Sequence, residues 1–429
     1  MAKLLIRNGR IVDPAAGYDA IADLLVEDGI IAGYGPRPDA VGAEVFDAAG
    51  MVVAPGFIDM HVHLREPGFE HSETIESGSR AAAAGGFTSI CCMPNTQPVN
   101  DSVTVTSYIV ERAKQNAVVN VYPIGAITKK SAGEELASIG SMKRAGIVAI
   151  SDDGRPVMNA RVMRRGMEMA HSFDLPVIDH CEDLNLSAGG DMHEGLISLK
   201  LGLRGIPACS EDIMVARDIL LAEATGARFH VAHISSRHSI AMVRQAKALG
   251  LPVTSEVCPH HFALSDEDMA PYDSNFKMKP PLRGRGDVGA AIDGVLSGAI
   301  DAIATDHAPH PGSEKMQEFE RCPFGILGLE TAIALALETF VHTGRLPLGK
   351  LVEKFTTAPA GILRLRRGTL ARGAPADITI FDLDRPWTYD VNRSFSKSRN
   401  SPFHGRAFRG GPAATIVNGR FVWRQDKEL

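Results

Sequence analysis

The sequence is short of the features that mark several protein classes. Cysteine is sparse: Cys91, Cys92, Cys181, Cys209, Cys258 and Cys322 are the six in 429 residues, with no C-x-x-C spacing. That speaks against a disulfide framework and for reduced thiols. Charge of one sign is lacking, since 45 basic and 51 acidic side chains leave a formal charge of −6, so a nucleic-acid binder working through a basic surface is excluded. No run approaches the roughly 18 apolar residues of a membrane span. The longest candidate, 332–341, contains Glu338 and reads as a buried or amphipathic helix. The opening decapeptide has Lys3 and Arg7 and no apolar core, so no targeting signal is read and a cytoplasmic protein without a membrane partner is expected. Aromatics are only 6%, yet 45% hydrophobic residues exclude a disordered chain.

What is present is glycine and proline (42 and 25) and 15 histidines gathered in short clusters. Both ends read as short strands. Asn8-Gly9, Asp28-Gly29 and Asn418-Gly419 are hairpin signals, and Ala376–Asp382 and Ala414–Val417 are apolar strands. The middle alternates apolar strands (Val52–Asp59, Thr88–Met93, Ile147–Ser151, Pro176–His180, Phe229–His233, Val253–Val257, Ile300–Thr305) with helical stretches such as 72–84, 103–114, 160–172, 211–225 and 239–249. Such βα alternation predicts a parallel sheet. The expected fold is an α/β (β/α)8 TIM-type barrel over 54–360, with a small β-sandwich domain formed from both termini, 1–53 plus 361–429.

Polar clusters fall at the C-terminal ends of the apolar strands, the face where a barrel builds its active site. His61-x-His63 places two imidazoles on one face of a strand, a spacing that grips a divalent ion, although a solvated strand face would look the same. His180, His233 and Asp306 end three further strands. Alone each has a bland explanation as a core histidine or a helix cap; together they form a ligand set. Four His and one Asp exceed what one open zinc site needs, which argues for two metals about 3.5–4 Å apart. No lysine ends the 147–151 strand to supply a carbamate bridge. Asp152 and Asp153 stand there, and Asp153 is the expected bridge, the alternative being a simple Asp-Asp-Gly turn. Arg65, just beyond His63, suits a substrate carboxylate, and the Asn95 amide can both donate and accept.

These residues resemble a known family. His61-Val62-His63-Leu64-Arg65-Glu66-Pro67-Gly68, Met93-Pro94-Asn95-Thr96, Ser151-Asp152-Asp153-Gly154, Ala304-Thr305-Asp306-His307-Ala308-Pro309-His310 and Pro323–Thr331 resemble the class I dihydroorotases of the amidohydrolase superfamily, in order along essentially the whole chain. The resemblance implies reversible cyclisation of N-carbamoyl-L-aspartate to dihydroorotate in pyrimidine biosynthesis. Two zinc ions would be held by His61, His63 and Asp306 and by His180 and His233, with Asp153 between them. It implies a hydroxide bridging the zincs and Asp306 as proton shuttle. Arg65, Asn95, His310 and the backbone at Phe324-Gly325 would bind substrate, under a mobile loop, Pro311–Cys322. Lys279 departs from the family's Asn at a substrate contact. The resemblance further implies a homodimer and an association with aspartate transcarbamoylase. Two alternatives stand beside it: a hydantoinase or allantoinase, disfavoured by Arg65 and the missing lysine, and a catalytically silent homologue, disfavoured by the complete ligand set.

Overall fold

The computed structural model describes residues 3–36, 40–269 and 271–426. Its centre is a ring of parallel strands. Phe57–Val62 pairs with Phe87–Cys92, which pairs with Asn120–Pro123. Gly125 bridges to Ile150 and Ile150 to Val177. Val177–Asp179, Phe229–Val231, Val253–Val257 and Ala302–Ile303 continue the ladder. A bridge from Val62 to His307 closes it, and the His63 N–H donates to the His307 carbonyl at 2.9 Å. With Ile150 counted as a position in the ring, eight strand positions complete the barrel. The 147–151 stretch read as a strand is thus only a pair of bridges, because Asp152 turns the chain immediately after it. Helices follow the strands much as the pattern predicted: Ile75–Ala84, Val103–Asn116, Ala160–Ser172, Cys209–Thr225 and Arg237–Ala248. No helix among the described residues is long and apolar enough to cross a membrane.

Both termini enter one mixed eight-stranded sheet. Val52–Pro55 lies between Lys3–Asp13, parallel to it, and Ile378–Thr388, antiparallel to it. The sheet curls around its own core of Ile6, Ile11, Leu24, Val26, Val53, Ile378, Ile380 and Ile416. Strand Glu44–Asp47 pairs with Leu4–Arg7, and its Phe46 ring lies 5.3 Å from the Phe421 ring of the last strand. The Asp28-Gly29 and Asn418-Gly419 turns are two-residue hairpins with both residues at positive φ, the conformation such turns require. Asn8-Gly9 is not a hairpin. Lys3–Asp13 is one continuous strand whose register shifts between Ile6 and Gly9. Asn8 (φ 60°) forms a bulge there, with its N–H donating to Asp23 Oδ1 at 2.9 Å. Gly9 is compelled by packing, since a Cβ would stand 2.5 Å from a Val53 methyl.

Sheet and barrel are joined at the barrel floor. Phe57 stacks on Phe355 at 5.1 Å and tilts against Phe381 at 5.7 Å. The Thr379 hydroxyl donates to the Gly86 carbonyl (2.6 Å) and accepts from the Phe57 N–H (3.0 Å), and both bonds are buried. Thr379→Val keeps the shape but orphans both backbone groups. It is expected to cost about 2–4 kcal/mol, read as a lower denaturant midpoint at unchanged m-value, with Thr379→Ser close to the parent.

Candidate metal centre at the barrel mouth

Six side chains predicted from five strand ends converge. His61, His63, Asp153, His180, His233 and Asp306 are all buried. Ligand-type atoms of His61, His63 and Asp153, of Asp153, His180 and His233, and of His61, His233 and Asp306 lie within 4.8 Å of one another in each trio. The Asp153 carboxylate divides its oxygens. Oδ1 faces His61 Nε2 (3.4 Å), His233 Nε2 (3.6 Å) and His180 Nδ1 (3.7 Å), while Oδ2 faces His63 Nε2 (3.5 Å). Asp306 Oδ1 stands 3.0 Å from His63 Nε2 and 3.5 Å from His61 Nε2. The neighbouring Asp152 plays no part: it accepts the Ile127 and Thr128 N–H groups at 2.8 and 3.1 Å and so shapes the turn that presents Asp153.

His61 Nε2 and Asp153 Oδ1 are buried without a hydrogen-bond partner. Burial opposes charge here, yet the carboxylates prevail. Asp306 and Asp153 raise the His61 pKa well above its ordinary value, and Asp153 and Glu182 push His180 up to about 10. Against the same burial, the histidines hold Asp153 well below the usual carboxylate range. The pocket therefore favours positive charge at its centre, and its borderline N and O donors suit a divalent ion. The donor set fits a metal.

Several supporting residues escaped the sequence reading. Glu256 accepts from His61 Nδ1 at 2.9 Å and lies 3.3 Å from His230 Nε2; both neighbours are buried. Glu182 accepts from His180 Nε2 at 3.0 Å. Asp59 accepts the N–H groups of His61 and Thr305, both at 3.1 Å, tying the first strand to the last; burial pushes its pKa up to about 7. The one available signal was the period of two along each strand, which puts Asp59 with His61 and Glu256 on the interior face. Three residues at the mouth, Arg65 (φ 60°), His233 (φ 32°) and Asp306 (φ 47°), occupy the left-handed region.

The residues expected at the substrate form a rim. Arg65, Asn95, Lys279, His310 and Phe324 are half-buried, and Gly325 is buried. Asn95 spends its amide on the ligands: it accepts from His63 Nδ1 at 2.9 Å and donates to Asp153 Oδ2 at 3.2 Å. Arg65 donates to the Pro309 carbonyl (3.2 Å) and to His310 Nε2 (3.1 Å). His310 is thereby neutral, its pKa pushed down to about 2 by burial and by Arg65, and its Nδ1 meets Glu314 at 3.1 Å. At Gly325 (φ 155°) a Cβ would stand 2.5 Å from the Ala308 carbonyl oxygen. Lys279 lies 2.8 Å from Glu182 and 5.2 Å from the Phe324 ring centroid. The 311–322 loop is anchored: Phe319 packs with Met192, Leu203 and Met269, and buried Lys315 donates to the Pro323 and Gly325 carbonyls at 3.0 and 3.2 Å. Asn400, from the C-terminal segment, donates to the Ala308 and Gly325 carbonyls (2.9 and 3.0 Å) and accepts from the His310 N–H (3.0 Å).

A family model described as dihydro-orotase-like matches residues 50–239. The chain is 70% identical to a dihydroorotase of Solibacter usitatus over 427 residues, covering 99% of each chain. It is 56% identical to one of Pelotomaculum thermopropionicum, covering 100% of each. Among solved structures it is similar to the L-hydantoinase (dihydropyrimidinase) of Arthrobacter aurescens (TM-score 0.90, 26% identity, 100% of this chain and 98% of that one). It is also similar to a D-hydantoinase (dihydropyrimidinase) of a Thermus species (TM-score 0.84, 27% identity, 99% and 96%). The likeness spans barrel and terminal sheet together.

Asn400→Ala removes three hydrogen bonds from the rim at once. Limited proteolysis of this variant is expected to cut within 311–322 under conditions where the parent stays whole, and an unchanged cleavage pattern would show that Phe319 and Lys315 hold the loop alone.

Proposed function

From the premise that the chain belongs to the dihydroorotase family of the amidohydrolase superfamily, we propose that it opens and closes the cyclic amide of dihydroorotate, interconverting it with N-carbamoyl-L-aspartate. The observation that carries this reading is a cation-seeking cluster of four histidines and two aspartates beside an arginine at the rim. His61, His63 and Asp306 would hold one divalent ion and His180 and His233 a second, with Asp153 between them, its Oδ1 facing His61, His180 and His233 and its Oδ2 facing His63. Zinc is the ion best suited to these donors. When bound, such a pair supplies Lewis acidity toward an amide carbonyl and lowers the pKa of water at the site to about 7.

The chain's own groups do the rest. Arg65 takes the substrate carboxylate, its guanidinium already braced by the Pro309 carbonyl and by His310. Asp306, held ionised by His61 and His63 despite its burial, accepts the proton of the attacking water and returns it to the ring nitrogen as the amide C–N bond breaks. In the direction of cyclisation Asp306 removes the carbamoyl N–H proton and delivers it to the departing oxygen. His310, uncharged, receives a hydrogen bond from Arg65 and keeps the cation aimed at the mouth. Phe324 and Gly325 wall the side where the flat ring would lie.

Two measurements test the reading. Metal analysis is expected to give two divalent ions per chain. Chelation should abolish turnover, and two equivalents of zinc should restore it; a full-activity protein with well under one ion per chain would end the dinuclear proposal. Arg65→Met is expected to raise KM for dihydroorotate about 10–100-fold and to leave hydrolysis of a hydantoin without a carboxylate nearly unchanged. Equal effects on both substrates would remove Arg65 from carboxylate recognition.

A further inference from the structure

Lys279 has a partner that explains it. Its Nζ is 2.8 Å from Glu182 Oε1, and Glu182 Oε2 accepts the Nε2–H of His180 at 3.0 Å. The side chain of Glu182 is 6% exposed and that of Lys279 26%, so the pair bridges the buried ligands and the rim. On the other side of the ring, His180 Nδ1 points into the cluster, 2.9 Å from His233 Nε2 and 3.7 Å from Asp153 Oδ1. One imidazole therefore has one nitrogen committed to a carboxylate and the other presented to the centre. The three residues form a line from rim to ligand.

We infer that Lys279 is a positioning residue for His180, acting through Glu182, and that it does not contact the substrate. The inference rests on the metal-dependent reading above and deepens it. A carboxylate on the outer nitrogen of a ligating histidine fixes its tautomer and ring angle and strengthens it as a donor. That works only if the carboxylate is itself held. Glu182 has two oxygens: His180 holds one, and without Lys279 the other would lose its only ion-pair partner among the described residues. The ammonium also packs at the Phe324 ring, which limits its swing. A substrate carboxylate would have to pull Lys279 away from Glu182 and so loosen the very ligand the reaction needs. Arg65, whose observed hydrogen bonds run to a carbonyl and a neutral imidazole, is the cation free of that conflict.

The test uses the zinc-loaded full chain and four variants: Lys279→Met, Lys279→Gln, Lys279→Arg and Glu182→Gln. Transfer of metal to a chromogenic chelator is followed alongside kcat and KM for dihydroorotate. Lys279→Met, Lys279→Gln and Glu182→Gln are expected to release one ion about 10–100-fold faster than the parent, with Lys279→Arg close to it. For the Lys279 variants the loss should fall on kcat, with KM changed less than about twofold. Either glutamine or methionine at 279 suffices should the other fail to fold. Wild-type release rates in the Lys279 variants would overturn the inference, and a KM raised roughly tenfold with metal retention intact would overturn it in favour of a substrate contact. A parent protein that holds no metal overturns the inference together with the reading beneath it. A parent that holds metal but leaves dihydroorotate intact refutes only the substrate assignment, and the release rates still decide the role of Lys279.

Discussion

Burying an unpaired carboxylate costs several kcal/mol, and Asp153 is buried at the centre of the barrel mouth with Oδ1 lacking any hydrogen-bond partner among the described residues. What makes that tolerable is the ring of imidazoles at 3.4–3.7 Å. His233 Nδ1 is buried without a hydrogen-bond partner among the described residues, while the outer nitrogens of His61, His180 and His63 are fixed by Glu256, Glu182 and Asn95. Those partners need their own: His230 for Glu256, Lys279 for Glu182. The site is a set of nested obligations working outward from one carboxylate, and the barrel supplies the rigid strand ends that keep them in register.

The innermost layer could be read from the chain because it is local. His61, His63, Asp153, His180, His233 and Asp306 each close an apolar run, and a barrel turns every such closure toward one mouth. The next layer could not be read. Glu256 meets His61 across 195 positions and Asn400 meets Ala308 across 92, and no spacing rule links such pairs. Which of Asp152 and Asp153 faces the histidines depends on which one a turn consumes, a matter of backbone N–H groups at 127 and 128. The Asn8-Gly9 dipeptide misled for the opposite reason. Its local preference for positive φ was satisfied, but by a bulge, because both flanking segments lie on one strand paired along its length with 18–27. Three further histidines that sit outside the cluster support other groups: His230 lies beside Glu256, His307 beside Glu73 at 3.3 Å, and His261 meets the Pro280 carbonyl at 3.0 Å.

Arg65 and Lys279 show how two cations near one small site avoid competing. One is anchored by uncharged partners and faces the mouth; the other is matched to a buried carboxylate. Net charge, −6 over the chain, says nothing about this division, which is set within a few ångströms. The rim is likewise drawn from both parts of the fold, since the C-terminal segment reaches past the sheet to hold the 308–325 backbone through Asn400, while the Ser398 hydroxyl meets the Ser72 carbonyl at 2.7 Å.

The threading of both termini through one sheet has a consequence for synthesis. Strand 52–55 needs 378–381 as its neighbour, and the rim needs residue 400. At about 5–20 residues per second, the ribosome delivers that partner only after tens of seconds. Throughout that interval strand 52–55 carries an apolar edge with nothing to pair against, and a metal cluster assembled early would lie under an unfinished rim. Strand 52–55 thus depends on residues more than 300 positions later to cover its edge, so premature release from the ribosome would expose an adhesive strand edge and risk aggregation.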